Sequence, residues 1–206
     1  MASTERPQIL LLSLEYRDFL DESYSALFNR LLEVAHIKRA KTTSAALQAI
    51  ADTTFKAIFI TDEGLANSNK QNREVLAKIK SYTENGGLTI VGLHFPAFMQ
   101  MDKFKRFFEA FGLPWTNGDY QRTTFQLHPS GILPESTETS SLPGPYSMKA
   151  LHIKGAKPQE KLFVPIEGAA QAGVAGARLG SGYLIYCGDV NGEDGSNQLM
   201  LALCGF

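Results

Sequence analysis

Ionisable and polar side chains follow four apolar runs of the sequence, and they are the residues best suited to chemistry. Carboxylates and imidazoles can act as general acids or bases, and a thiol beside a base can act as a nucleophile. The segments are 15–18 (Glu-Tyr-Arg-Asp), 62–67 (Asp-Glu-Gly-Leu-Ala-Asn), 94–96 (His-Phe-Pro) and 188–193 (Gly-Asp-Val-Asn-Gly-Glu). Because Asp, Asn and Gly also favour turns, each segment fits an ordinary loop as well.

His94 and Cys187 offer two kinds of reactive centre. If the two side chains lie within hydrogen-bond reach, the imidazole can activate the thiol, with Asp189 orienting the ring. Alternatively, Cys187 is a strand residue that packs as a small hydrophobe. His94 with Asp189, Glu15 or Glu63 would also supply a mixed nitrogen–oxygen metal site. The histidines show no spacing of the His-x-x-x-His kind, so we predict no metal and no other cofactor.

The elements that position these residues alternate in the first half of the chain. Apolar runs too short for helices predict buried strands. These runs are 8–14, 57–61, 88–93 and the more charged, edge-like 36–40. Apolar residues at helical spacing predict helices between the strands. The helices cover about 21–35, 43–50, 69–85 and 104–111.

After Trp115 the pattern changes to short strands. Gly180-Ser181-Gly182 is typical of a hairpin turn between two of them. The predicted strands are 120–127, 149–153, 161–164, 170–179 and 183–187, followed by a short helix over 196–206. Residues 130–146 are rich in Ser, Thr, Pro and Gly, and we predict a surface loop there. No composition shift marks a domain boundary, so we expect one domain over 1–206.

Strands that alternate with helices indicate a parallel sheet, because each parallel connection needs a crossover. We therefore predict an α/β fold of the flavodoxin-like kind, a three-layer sandwich with a mostly parallel central sheet and a β-rich C-terminal part. In such sheets ligands bind at the carboxyl ends of the strands. The four polar segments should therefore meet at one edge.

Composition excludes several function classes. The 206 residues carry 20 Lys+Arg against 21 Asp+Glu, and this net charge of −1 argues against a nucleic-acid binder that depends on phosphate contacts. No run approaches the length of a membrane span, and residues 1–7 lack the apolar core of a secretory signal. Two cysteines form no disulfide framework. We predict a cytoplasmic protein with no membrane or nucleic-acid partner.

The run from Ile90 to Phe98 is an apolar strand, a polar residue at a tight turn, and a helix. Such a strand–turn–helix elbow holds its central side chain exposed near helix amides, which favour negative charge. The layout resembles the class I glutamine amidotransferase-like superfamily, which includes ThuA-like proteins and PfpI-type hydrolases. Those proteins carry a nucleophilic Cys in a Gly-x-Cys-x-Gly elbow. Here Gly92-Leu93-His94-Phe95-Pro96 places His94 where the Cys stands and Pro96 in place of the second glycine.

The resemblance extends to three other segments. Thr61-Asp62-Glu63-Gly64 matches the turn that supplies oxyanion-hole amides, although only Gly64 keeps that character. Glu15 stands where PfpI-type proteins carry a Glu, and the run from Ile185 to Asp189 stands where amidotransferases carry His-Pro-Glu. The ThuA-like branch is most similar, because its elbow can carry Gly-x-His. ThuA-like proteins carry Gly-His at the late position, and this register would set Asp189 against the His.

The resemblance implies a protein without glutaminase activity, because imidazole cannot replace the thiolate in ordinary Cys chemistry. We expect it to bind a small polar molecule or a partner. The alternative is a hydrolase or sugar-modifying enzyme in which His94 is the base and Asp189 or Glu15 orients it. A third role is assembly as a homodimer. The candidate catalytic residues are His94, Cys187, Asp189 and Glu15. The candidate ligand contacts are Tyr16, Glu63, Gly64, Phe95 and Asn191.

Overall fold

The computed structural model describes residues 6–206, and it contains nine strands and seven α-helices in that range. The strands are β1 Gln8–Leu12, β2 His36–Ala40, β3 Ala57–Ile60, β4 Leu88–Val91, β5 Thr116–Leu127, β6 Tyr146–Lys154, β7 Lys161–Pro165, β8 Val174–Leu179 and β9 Gly182–Cys187. The helices are α1 Leu20–Ser23, α2 Ser25–Val34, α3 Thr43–Asp52, α4 Lys70–Glu84, α5 His94–Phe98, α6 Met101–Glu109 and α7 Asp194–Leu203. The predicted absence of a secretory signal concerns residues that lie in part outside this range.

All nine strands form one sheet in the order β2-β1-β3-β4-β9-β8-β7-β5-β6. The five strands from β2 to β9 pair in parallel, and β9, β8, β7, β5 and β6 pair in antiparallel fashion. The α/β class is therefore confirmed, but the prediction of a mostly parallel sheet is wrong, because the sheet is mixed. The C-terminal strands continue the sheet through β9, whose two neighbours run in opposite senses.

Strand β6, the last in the sheet order, also pairs with two segments that lie outside the named strands. Isolated antiparallel bridges join Ala150 to Asp189, just after β9, and Ile153 to Ala172, just before β8. Gly188 makes this closure possible, because a Cβ there would lie 2.2 Å from the carbonyl oxygen of Leu151. The Tyr186 hydroxyl donates to that same carbonyl at 2.8 Å. The edge of β6 is thus covered close to the loop that follows β9.

Buried side chains pack on both faces of the sheet. On one face, α3, α4 and α6 cover a core that includes Ile58 and Ile60 of β3 and the buried phenylalanines Phe104, Phe107 and Phe108 of α6. On the other face, α1, α2 and α7 pack against the alternate residues of β1, β4 and β9. Burial on both faces explains why β1, β3 and β4 are continuous apolar runs.

Most predicted elements are present with shifted bounds. The charged run 36–40 is the edge strand β2, and a hairpin turn at 180–181 joins β8 to β9. Strand β5 begins at Thr116, earlier than predicted, and a register shift between Asn117 and Tyr120 accommodates its polar start. Between β5 and β6 the chain has only a 3-10 turn at Thr139–Ser141. Within the described range, no helix has the length and apolar character needed to cross a membrane.

Candidate functional site

The elbow after β4 places its strained residue one position earlier than expected. Leu93 has φ 58° and ψ −118°, and it is the one residue other than glycine with a positive φ among residues 6–206. Reactive residues of strand–helix elbows sit on this sharp turn. His94 is instead the first residue of α5, and only 4% of it is exposed. The expectation that His94 occupies an exposed position at the tip of the elbow is therefore wrong.

His94 is packed among aromatic rings. Its ring centroid lies 4.8 Å from Phe19, 5.2 Å from Phe98 and 5.6 Å from Tyr24. Burial, assisted by the nearby Arg17 guanidinium, lowers the pKa of His94 to about 4. Its Nδ1 is buried and has no hydrogen-bond partner. The imidazole is therefore neutral at pH 7 and keeps an unused nitrogen.

Cys187 ends β9 and is buried in the core beneath α2 and α7. Burial raises the pKa of its thiol to about 12, so it is a poor nucleophile. A Cβ built on Gly92 would lie 3.5 Å from the Cys187 Cβ, so the thiol packs against the start of the elbow. No hydrogen bond between Cys187 and His94 is found within the described part of the chain. The geometry favours the packing role of Cys187 over the dyad.

Asp189 closes the loop after β9. Its Oδ1 accepts from the backbone N–H of Asn191 at 2.9 Å, and its Oδ2 accepts from that of Glu193 at 2.8 Å. Burial raises the pKa of this carboxyl. Tyr24 lies between this loop and His94, and the nearby Asp189 carboxylate contributes, after burial, to the raised pKa of its phenol. The Tyr24 hydroxyl is buried and has no partner.

Asp62 plays the same part after β3. Its Oδ1 accepts from the backbone N–H groups of Glu15, at 3.1 Å, and Gly64, at 3.0 Å. The Gly64 N–H assigned to an oxyanion hole by resemblance is therefore already engaged. Asp62 Oδ2 is buried without a partner, and burial raises the pKa of this carboxyl to about 6.

An ion pair covers the outer side of this edge. Arg17 donates to the two carboxylate oxygens of Glu63 at 2.5 and 3.0 Å, and its guanidinium lies 3.9 Å from the centre of the Phe98 ring. The exposed Glu15 carboxylate accepts from Asn67 at 3.2 Å. Arg17 and Asn67 belong to the four polar segments of the sequence, but Phe98 and Phe19 do not, because exposed aromatic side chains carry no pattern.

Two candidate ligand contacts are placed elsewhere. Phe95 is fully buried, on the face of the sheet opposite to Leu93, with its ring 4.8 Å from that of Phe107. Helix α5 turns this side chain into the core. The Tyr16 hydroxyl donates to Asp21 at 2.8 Å, and Lys41 Nζ lies 3.4 Å from its ring centre, on the β2 side. Asn191 is exposed and contributes its N–H to Asp189.

The structure thus brings Glu15, Asp62, Glu63 and His94 to the carboxyl edge of β1, β3 and β4, as the topology predicts. Asp189 and Cys187 lie one strand further along, with Tyr24 between them and His94. In residues 6–206, no group of three or more His, Cys, Asp or Glu side chains is arranged to hold a metal ion.

The comparisons with known proteins rest on structure. The sequence matches no family model and no curated relative. Among solved structures, a ThuA-like protein from Bacteroides uniformis is 14% identical with a TM-score of 0.60, over 98% of this chain and 91% of that one. A ThuA-like protein from Parabacteroides merdae is 10% identical with a TM-score of 0.59, over 97% of this chain and 89% of that one. The fold is therefore the one seen in ThuA-like proteins.

The same fold occurs as a part of larger proteins. A β-galactosidase from Rahnella sp. R3 is 14% identical with a TM-score of 0.57, over 97% of this chain but only 31% of that one. At these identities the likeness concerns the fold alone.

Proposed function

We propose that this chain is a ThuA-like member of the amidotransferase-like superfamily that binds a small polar molecule and has no glutaminase activity. The observation that carries the proposal is Leu93, a side chain without chemistry at the strained position of the elbow. The buried thiol of Cys187 cannot take its place, and the Gly64 amide is engaged by Asp62. Nucleophile and oxyanion hole are both missing from this arrangement.

Binding is supported by buried polar atoms at the same edge that lack partners. They are the Tyr24 hydroxyl, Asp62 Oδ2 and His94 Nδ1. A buried polar group left unpaired costs about 1–3 kcal/mol, so native proteins satisfy such groups with protein, water or ligand. Arg17 and Glu63 lie near Asp62 and His94 and offer charged groups at the surface. A small molecule with hydroxyl, amide or carboxylate groups would find donors and acceptors in Arg17 and Glu63.

Assays of the purified protein with L-glutamine and with p-nitrophenyl acetate test the missing chemistry. We expect no turnover above the buffer rate, for the wild type and for His94→Ala alike. Turnover of either substrate that disappears in His94→Ala would contradict the proposal.

Ligand binding is tested by thermal shift with a panel of small polyols, amino acids and hydroxy acids. We expect at least one compound to raise the Tm of the wild type and to lose its effect in Arg17→Met, which keeps the apolar stem over Phe98. Arg73→Met, on the exposed side of α4, is the matched control. A panel without effect, or equal effects in both variants, counts against a site here.

A second candidate function is the hydrolase or sugar-modifying enzyme in which His94 is the base. It is favoured by one observation: burial keeps the imidazole neutral at pH 7, the form that accepts a proton. Such an enzyme would lose activity below about pH 4, where the imidazole is protonated, and in His94→Ala. It would also depend on Asp189 or Glu15. If Asp189→Asn and Glu15→Gln both keep the activity of the wild type, the mechanism is excluded.

We also propose a cytoplasmic protein of one domain that forms a homodimer and binds neither membranes nor nucleic acid. Sedimentation equilibrium at high protein concentration tests the dimer, and a monomer throughout would refute it.

A further inference from the structure

Three Asn-Gly pairs occur in the sequence, at 85–86, 117–118 and 191–192. In such a pair the backbone nitrogen of the glycine can attack the side-chain carbonyl carbon of the asparagine, because glycine has no Cβ to hinder the approach. The succinimide ring that forms contains the Cα–C bond of the asparagine. Ring closure therefore requires a backbone that can rotate about this bond, a free glycine N–H and a side chain turned toward it.

The pair at 85–86 is protected at the end of α4. Asn85 Nδ2 donates to the carbonyl oxygen of Ser81 at 2.8 Å, so the side chain is turned back along the helix. The Gly86 N–H donates to the carbonyl oxygen of Thr83 at 3.1 Å. Although Asn85 is exposed, both reacting groups are held in other hydrogen bonds.

The pair at 117–118 is protected within β5. Asn117 is paired with Ile153 of β6, which fixes its backbone in the strand conformation. Gly118 is also crowded, because a Cβ there would lie 2.1 Å from Gln171 Oε1 and 3.2 Å from His152 Cβ. The strand has to open before the peptide between Asn117 and Gly118 can rotate.

The pair at 191–192 lies outside any helix or strand, in the loop between β9 and α7. Asn191 is exposed, and its Nδ2 lies 3.5 Å from Glu193 Oε1, so the side chain is turned in the C-terminal direction, where Gly192 follows. Among residues 6–206, the Gly192 N–H has no hydrogen-bond acceptor. Both reacting groups are therefore available in the folded chain.

We propose that Asn191 is the site of a spontaneous covalent modification, deamidation through a succinimide. The Gly192 nitrogen bonds to Cγ of Asn191 and gives up its proton, and Nδ2 takes up a proton and leaves as ammonia. Water then opens the ring at one of its two carbonyl carbons, which yields aspartate or isoaspartate at position 191. The proposal does not depend on the function proposed for the elbow.

The isoaspartate product alters the loop. Its backbone runs through the former side-chain carbonyl and is longer by one methylene group before Gly192. Asp189 spans this linkage, because it accepts from the N–H groups of Asn191 and Glu193 at 2.9 and 2.8 Å, and a longer linkage moves one of these groups away. Asp189 is 1% exposed, and a buried carboxylate that loses a partner destabilises the fold. We expect the isoaspartyl protein to have a lower Tm than the aspartyl protein.

The test follows all three pairs in one sample of the purified protein, kept in neutral buffer below its Tm. Mass spectrometry distinguishes the pairs, because they lie in separate tryptic peptides, 81–103, 107–122 and 179–206. We expect Asn191 to convert at least about tenfold faster than Asn85 or Asn117, because the protected pairs must first break hydrogen bonds that together correspond to a factor of this size. In guanidinium, where no pair is protected, the three should convert at similar rates.

Two variants assign the acidic species that ion-exchange chromatography separates. Asn191→Gln should abolish the main acidic species, because glutamine would have to close a less favourable six-membered ring. Asn85→Gln makes the same substitution at a protected pair and should leave this species as in the wild type. Both positions are exposed, so neither replacement should unfold the chain.

Conversion of Asn191 no faster than that of Asn85 or Asn117 in the folded protein would overturn the proposal. The same order of rates in guanidinium would also overturn it, because the difference would then come from the local sequence and not from the fold. Asn191→Asp supplies the aspartyl form for comparison. An isoaspartyl fraction with the same Tm as Asn191→Asp would refute the effect on the loop.

Discussion

At position 93, a glycine variant should be more stable than an alanine variant, which reverses the usual order of these two residues. At φ 58° and ψ −118° a side chain is strained, whereas glycine adopts this conformation freely. Leu93 is also fully buried, so any truncation costs packing energy. Comparing Leu93→Ala with Leu93→Gly removes the packing term, because both variants lose nearly the same side chain. The difference between them measures the strain.

The magnitudes are as follows. Leu→Ala in a core costs about 2–5 kcal/mol, and we expect Leu93→Ala to fall in this range. Replacing Ala by Gly ordinarily costs a further 0.5–1 kcal/mol or so in backbone entropy. Relief of a strained backbone returns about 1–3 kcal/mol. Leu93→Gly should therefore be more stable than Leu93→Ala by about 1 kcal/mol, equivalent to a Tm about 2–4 °C higher for a chain of this size.

Urea denaturation followed by circular dichroism measures both variants. Leu31, equally buried and in the interior of α2, is the control, and there glycine should be less stable than alanine by about 1 kcal/mol. If Leu93→Gly proves less stable than Leu93→Ala by the same amount as at Leu31, Leu93 carries no strain. The elbow geometry would then be wrong.

Three further predictions concern buried polar groups. Because burial raises the pKa of both thiols to about 12, neither cysteine should react with iodoacetamide in the native protein at pH 8, and both should react in guanidinium; native labelling would contradict this. The folded pKa of Asp62, about 6, exceeds its unfolded value, so acidification from pH 7 to 4 stabilises the fold through Asp62. The folded pKa of His94, about 4, lies below its unfolded value, so acidification from pH 6.5 to 4 destabilises the fold through His94. Urea titrations should therefore show greater acid sensitivity in Asp62→Asn and less in His94→Phe, and identical profiles would refute both assignments. Glu160→Ala removes the carboxylate that accepts from Trp115 Nε1 at 3.0 Å and should lower the free energy of unfolding by about 1–3 kcal/mol, with a smaller loss in Glu160→Gln. The fluorescence of the single tryptophan follows unfolding, and equal losses in the two variants would show that the bond is unimportant.

The parallel half of the fold could be predicted because its strands are buried on both faces. A run such as 88–91 has no exposed position, and such runs separated by amphipathic helices fit few arrangements. The antiparallel half could be predicted only as separate strands. The two halves join at β9, which lies between β4 and β8. Strand β9 is buried along its whole length, and such a strand fits a parallel or an antiparallel neighbour equally well. Pairing direction is set by the chain connections, not by the residues of the strand.

The site was predictable in outline but not in register. That the loops after β1, β3 and β4 meet follows from topology alone. Which residue takes the strained turn does not, because a leucine at positive φ contradicts local preference and only tertiary packing can impose it. The Gly-x-His pattern therefore directed attention to His94.

Packing explains why the elbow persists without a nucleophile. The turn sends Leu93 into the core beneath α1, α2 and α7, and two residues later it sends Phe95 into the core on the other face of the sheet. Burying two such side chains contributes about 1.5–3 kcal/mol each, which exceeds the roughly 1–3 kcal/mol of strain. A relaxed backbone at position 93 would continue the strand and leave one of them exposed. The strained turn is therefore retained for the two cores it fills, and its geometry alone is no evidence of catalysis.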